Sequence, residues 1–290
     1  MKALVLSGGG TNGAFEVGAL RHLLFDLQKP YDLICGVSVG ALNGAFLAQY
    51  NKGEERQAYK DLRKLWDTIE TKSIYKKWYW GLLWYLPILW KHSIYDSTPL
   101  HELVKTNLDA TEIKESDKQL RVMGVNYNTK ERSIWTDDDP EIIRGVLASS
   151  SFPLFFLPIH TKNFVHTDGG IRDITPLSVA IRAGATEIDI IVCYPDKLER
   201  EKEVKLKIWN QAPMMLDIVF NEIGRNDLRM TNMYNKMVQA NIAPKGKRYI
   251  KTRLIQPERN LGDSLDGSPE KNQKLFEIGY ERAIKAGIQG

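Results

Sequence analysis

Twice within its first fifty residues the chain runs from a short apolar stretch, through glycines, into a segment of helical spacing. Lys2–Ser7 reads as a buried strand, and Gly8-Gly9-Gly10-Thr11-Asn12-Gly13 follows it directly. Ala14–Leu27 then places Val17, Leu20, Leu23, Leu24 and Leu27 as one face of a helix. Tyr31–Cys35 is a second strand, and Val39–Tyr50 is a helix whose Ala41, Gly44, Ala45 and Ala48 allow close packing on a sheet. Parallel strands need a crossover connection and hairpin strands do not, so this order predicts a parallel sheet covered by helices.

The remaining chain extends that pattern. Glu54–Ile69 is amphipathic and helical, Leu120–Tyr127 and Glu131–Trp135 form a hairpin around Asn128-Thr129, and Pro140–Ala148 suits a helix with proline in its first turn. Asn163–Thr167 is a strand, Pro176–Ala183 a helix and Glu187–Cys193 an apolar strand. Ile208–Gln239 reads as an interrupted helix, Arg248–Ile255 alternates as a strand, and Pro269–Ala286 is a final helix. No internal repeat occurs. One domain over residues 1–290 is expected, with 71–95 as an insertion and 200–290 as a helix–strand–helix completion.

Composition closes off several classes. With 43% hydrophobic and 26% charged residues the chain is neither disordered nor a multi-span membrane protein. Lys2 and the four apolar residues before Ser7 are too few for the apolar region of a signal peptide. Only Cys35 and Cys193 are present, without the spacing of a zinc site, so a reducing, cytoplasmic setting and no metal are expected. The net charge of +4 gives no case for nucleic acid, but all of it comes from Lys72, Lys76, Lys77 and Lys91 in the acid-free stretch 71–95.

Gly36-Val37-Ser38-Val39-Gly40 has the form G-x-S-x-G. Glycines flank such a serine because a sharp strand-to-helix turn leaves no room for side chains beside it. The turn exposes the Ser38 hydroxyl and aims the next helix's N-terminal amides, Val39 among them, at charge developing on a substrate. The Gly8–Gly13 run is either a structural turn or a site for one of two ligands, a carbonyl oxygen on Ser38 met by the Gly9 and Gly10 amides or the pyrophosphate of a dinucleotide. A dinucleotide site wants an acid at the end of the second strand; Asp32 is at its start, which favours the oxyanion hole.

A serine nucleophile needs a base. Among His22, His92, His101, His160 and His166, the last two follow Ser38 and leave a triad open by order, but neither sits in a glycine-rich loop, whereas Asp168 opens Asp168-Gly169-Gly170 at a strand end. Asp168 is therefore either a direct base or a turn residue.

These motifs, in this order, resemble those of the patatin-like phospholipases: Gly8–Gly13, Gly36–Gly40 and Asp168–Gly170, with Ala148-Ser149, Pro153, Phe156 and Pro158 ahead of the aspartate. The likeness runs from Met1 to about Tyr194. It implies a three-layer α/β/α sandwich with a mainly parallel central sheet, and lipase- or phospholipase-type cleavage of lipid acyl esters without a cofactor. It also implies a Ser38–Asp168 dyad without histidine, under an oxyanion loop of Gly8, Gly9, Gly10, Thr11, Asn12 and Gly13. Asn12 departs from the usual Arg or Lys and removes a positive charge, while Asp173 stands where Asn is common.

Trp78–Trp90 is thirteen uncharged residues holding four of the seven tryptophans, Trp78, Trp80, Trp84 and Trp90, flanked by Lys76, Lys77 and Lys91. Its aromatic and basic character fits a lid resting on an anionic lipid surface, or else a buried helical hairpin or a dimer contact. Peripheral membrane contact through 71–95 is the expectation. A non-catalytic lipid-binding protein and a dinucleotide-dependent oxidoreductase remain the alternatives for the whole chain.

Overall fold

The computed structural model describes residues 1–78, 92–198, 208–243 and 248–287. Ten strands are assigned there: β1 (Lys2–Leu6), β2 (Leu33–Val37), β3 (Lys76–Lys77), β4 (Tyr95–Asp96), β5 (Gln119–Asn126), β6 (Arg132–Thr136), β7 (Ile159–Thr161), β8 (Phe164–Asp168), β9 (Glu187–Ile191) and β10 (Lys251–Ile255). Eight form one sheet in the order β10-β9-β1-β2-β5-β8-β7, with β6 on β5. From β10 to β5 all neighbours are parallel, as the crossover argument requires. Burial alternates through these strands: Leu4, Leu6 and Ile34 face one core, and Ala3, Val5, Leu33, Cys35 and Val37 face the other. Both faces are therefore covered, which makes a three-layer α/β/α sandwich.

The first face carries α1 (Gly13–Leu20), α2 (Val39–Leu47), α3 (Glu55–Thr68), α5 (Thr98–Asn107), α7 (Ile142–Ser149) and α10 (Pro269–Lys285). The second carries α8 (Leu177–Arg182) and α9 (Ile208–Gln239). Short helices α4 (Thr71–Ile74) and α6 (Ala110–Glu115) complete the set.

Several boundaries differ from the sequence reading. The helix begun at Gly13 widens into a π-helical turn over Arg21–Asp26, where Leu27 N–H donates to His22 O. Pro140 lies in the turn before α7 and not in its first turn, since the helix opens at Ile142. The long helix α9 is one element without the expected interruption. No helix among the described residues is long and apolar enough to cross a membrane.

One detail of register positions everything that follows. β5 pairs with β2 as far as Val37↔Met123, and with β8 from Gly124↔Asp168 onward. β6 occupies the opposite edge of β5 over the same stretch, so β8 must take up the edge that β2 leaves. The residue after Val37 is Ser38. Strand pairing thus delivers Ser38 and Asp168, 130 positions apart, to one end of the sheet.

Candidate active site

Ser38 joins β2 to α2 with φ 54° and ψ −127°, a region that non-glycine residues occupy only when the surroundings hold them there. The glycines on either side make the bend possible. A Cβ on Gly36 would stand 2.2 Å from Gly40 O, and one on Gly40 would stand 2.5 Å from Leu6 O. Chain crosses chain at both points, and any side chain would force the strand and helix apart.

Three consecutive serines at the end of α7 hold this turn. Ser149 Oγ accepts the Ser38 N–H at 2.9 Å and donates to Met123 O at 2.6 Å. Ser150 Oγ donates to Ser38 O at 3.2 Å. Ser151 O accepts the Asp168 N–H at 3.1 Å and the Thr167 hydroxyl at 2.7 Å. One tripeptide therefore fixes both Ser38 and Asp168. Sequence reasoning noted Ser149 only within the resemblance; the legible signal was a run of serines closing an apolar helix, where each buried hydroxyl needs a partner.

Asp168 is 2% exposed. Its Oδ1 accepts the Gly170 N–H at 2.7 Å, and the Ser38 side chain is a hydrogen-bonding neighbour of the carboxyl. Burial dominates these two contacts and pushes the carboxyl up to about 7. A half-buried hydroxyl thus faces a carboxyl group poised to exchange its proton near neutrality.

The glycine loop lies alongside, where a Cβ on Gly8 would come 3.3 Å from Ser38 Cβ. Its amides are not equivalent. Gly8 N–H donates to Ile174 O at 2.9 Å, Thr11 N–H to Ser264 O at 2.8 Å and Asn12 N–H to Gly9 O at 3.1 Å. Gly13 N–H is taken by Gly10 O and Thr11 O. Four of the amides in Gly8–Gly13 are therefore spent on the protein. Among the described residues, no backbone acceptor takes the Gly9, Gly10 or Val39 N–H.

The C-terminal loop before α10 supplies the acceptor of the Thr11 amide and packs on the glycine loop. Ser264 O is 2.3 Å from where a Cβ on Gly10 would be, and Gly10 has φ +56°. Thr11 Oγ1 donates to Asp266 O at 2.7 Å, and Asn12 Nδ2 to Gly262 O at 3.4 Å. Asn12 is therefore buried and pins this loop instead of reaching the site. The chain's own carbonyls fill the cradle that a pyrophosphate would need, which argues against a dinucleotide there.

Beneath the loop Glu16 is fully buried and takes Asn43 Nδ2 at 2.9 Å, while Asn43 Oδ1 takes Trp66 Nε1 at 2.8 Å. Desolvation raises the Glu16 carboxyl to about 8, so it supports the loop uncharged at neutral pH. Asp173 is equally buried and pairs with Arg132 at 3.3 Å and with Asp227 of α9, which anchors the loop after Asp168. His166 contacts Ser133 Oγ at 2.9 Å and packs on Trp135, away from Ser38. Lys76 and Lys77 are exposed on β3, which pairs with β4, and Trp78 Nε1 donates to Ser93 O at 3.1 Å. Trp80, Trp84 and Trp90 lie outside the described residues.

The chain is similar to several known proteins. A probable lipid hydrolase of Invertebrate iridescent virus 6 is 28% identical over 190 residues, covering 62% of this chain and 63% of the viral protein. An uncharacterized mimivirus protein is 26% identical over 59% of this chain and 58% of its own length. The rat calcium-independent phospholipase A2-gamma is 23% identical over 62% of this chain, but that stretch is only 26% of the rat protein. The matched part thus spans less than two thirds of each of these relatives. The crystal structure of VipD from Legionella pneumophila covers 98% of this chain and 66% of its own at 14% identity and a TM-score of 0.46. The model of the patatin-like phospholipases matches residues 4–181, which include Ser38, Asp168 and every strand between them, and the chain belongs to that family.

Proposed function

We propose that the protein is a serine acyl hydrolase that cleaves lipid acyl esters through Ser38 and Asp168. Asp168 takes the Ser38 proton as the hydroxyl oxygen attacks the ester carbonyl. The negative charge that gathers on the carbonyl oxygen is met by the free amides of Gly9, Gly10 and Val39, the last at the N-terminus of α2. The intermediate collapses, the alcohol leaves with the proton held by Asp168, and the acyl group stays on Ser38. Water then attacks the acyl-enzyme and gives a proton to Asp168; the bond from the acyl carbon to the Ser38 oxygen breaks, Ser38 takes that proton back from Asp168, and the carboxylic acid is released with the hydroxyl and carboxylate restored.

The observation that carries this reading is the pairing of a backbone-strained, half-buried serine with a carboxyl raised to about 7 by burial. A free carboxylate near 3.9 is too weak a base for a serine hydroxyl, and desolvation is what changes that. Family membership and the names of the viral and rat relatives support a lipid as the acyl donor. The basic, tryptophan-rich composition of 71–95 supports contact with a lipid surface, and Tyr95 at its end bonds Phe155 O through its N–H, close in the chain to the serine tripeptide.

Hydrolysis of p-nitrophenyl acyl esters tests the reading. Ser38→Ala and Asp168→Asn are each expected to lower kcat by at least about 10³-fold with the fold intact by circular dichroism. Full activity in either folded variant would overturn it, and a non-catalytic lipid-binding protein would take its place.

A further inference from the structure

The helix α9 lies outside the matched family region and carries an apolar face that nothing in the described structure covers. Met215, Ile218 and Val219, then Met230, Met233 and Met237, recur at helical spacing on one stripe and are each between 40% and 65% exposed. Its opposite stripe, with Phe220, Ile223, Leu228 and Tyr234, packs into the second core. Midway along the outer stripe Glu222 and Asn226 are held by Arg229 Nη1 at 3.3 and 3.4 Å. Single exposed apolar residues need no explanation, but six in register on one helix do.

Charge identifies the occupant. From Leu228 to Pro257 the sequence has seven basic residues and no acidic one. Of these Arg229 and Lys236 lie on α9 itself and are exposed within the Met230–Met237 half or next to it. An anionic lipid surface attracts such cations beside an apolar face. The helix also runs the right way. Phe220 packs on Phe152 at 5.5 Å, next to the serine tripeptide, and Leu154 beside it is 74% exposed. Asn235 binds the backbone of Ile250 at the start of β10, the far end of the sheet. The Met215–Val219 half of α9 thus lies toward the serine tripeptide and the Met230–Met237 half toward the far end of the sheet.

We propose that the outer face of α9 is a bilayer-docking surface: the two apolar triplets enter the interface of an anionic membrane and the flanking cations bind its headgroups. This deepens the lipid-hydrolase reading and rests on it only for what the docked protein does next. Cosedimentation with phosphatidylcholine vesicles, with and without phosphatidylglycerol, tests it on the Ser38→Ala protein, so binding is read independently of hydrolysis. Binding is expected to need phosphatidylglycerol and to weaken with salt. The Met230→Ser/Met233→Ser/Met237→Ser variant should lower the partition coefficient by at least about tenfold. Arg229→Gln/Lys236→Gln should remove most of the preference for anionic vesicles. In the Ser38 background both variants should keep wild-type activity on soluble p-nitrophenyl butyrate. Undiminished vesicle binding by both variants, no binding by the parent protein, or a dimer in sedimentation that the methionine changes dissolve would each overturn the proposal.

Discussion

Ser38 holds a backbone conformation that costs a non-glycine residue about 1–3 kcal/mol, and Asp168 keeps a carboxyl group almost out of water. Both features lower stability, and the second does so in a way that pH reports. The Asp168 carboxyl binds its proton more tightly in the folded chain, at about 7, than in the unfolded chain, near 3.9. Its contribution is thus fully present below pH ~4 and is lost as pH rises through about 7. Asp168→Asn keeps an acceptor for the Gly170 amide and removes the charge. It is expected to be more stable than the parent at pH ~8, by up to about 4 kcal/mol, and about equal to it at pH ~4. Urea unfolding at the two pH values checks this, and equal stability at both would contradict it. Activity follows the opposite course because only the ionised carboxylate accepts a proton. The kcat/KM for a soluble ester should climb through pH ~7 and level off above it; a limb centred near pH 4 would show that Asp168 is not buried as described.

The elements around the site are held by a few polar contacts placed where chains cross. Ser149–Ser151 ties α7 to the elbow and to β8 at once. At the far end Asn235 does the same for α9. Its Nδ2 donates to Ile250 O at 2.8 Å and its Oδ1 accepts Ile250 N–H at 2.9 Å, all buried. Asn235→Ala leaves both backbone groups of Ile250 without partners and is expected to cost about 2–3 kcal/mol. It should also raise amide exchange in β10 and in the second half of α9 well above that in β1 and β2. Exchange that rises uniformly across the sheet would mean that α9 is not docked as a separate unit.

Across the whole molecule, legibility followed the distance over which each contact is made. The two strand–glycine–helix units, the β5–β6 hairpin and strand β9 were readable because period and turn chemistry are local. The π-turn after α1 was not, since nothing in its residues sets it apart from ordinary helix, and α5 and α6 went unread although Pro99 in the first turn of one and the Asp109 cap of the other mark their starts. The commitment of the Gly8, Thr11, Asn12 and Gly13 amides was hidden for a different reason. Their acceptors are backbone carbonyls, among them Ile174 O and Ser264 O far along the chain, and carbonyls leave no mark in a sequence. Ser38 and Asp168 were legible as motifs, but their meeting depends on β8 taking the edge of β5 that β2 vacates. The central claim is that this meeting makes Ser38 a nucleophile. Acid-quenching the protein during turnover of a p-nitrophenyl acyl ester, followed by peptide mass mapping, tests it most directly. The expected result is one acyl group on Ser38, with none bound by Ser38→Ala and slower formation in Asp168→Asn. An acyl group on any other residue, or one formed equally fast without the Asp168 carboxylate, would contradict it.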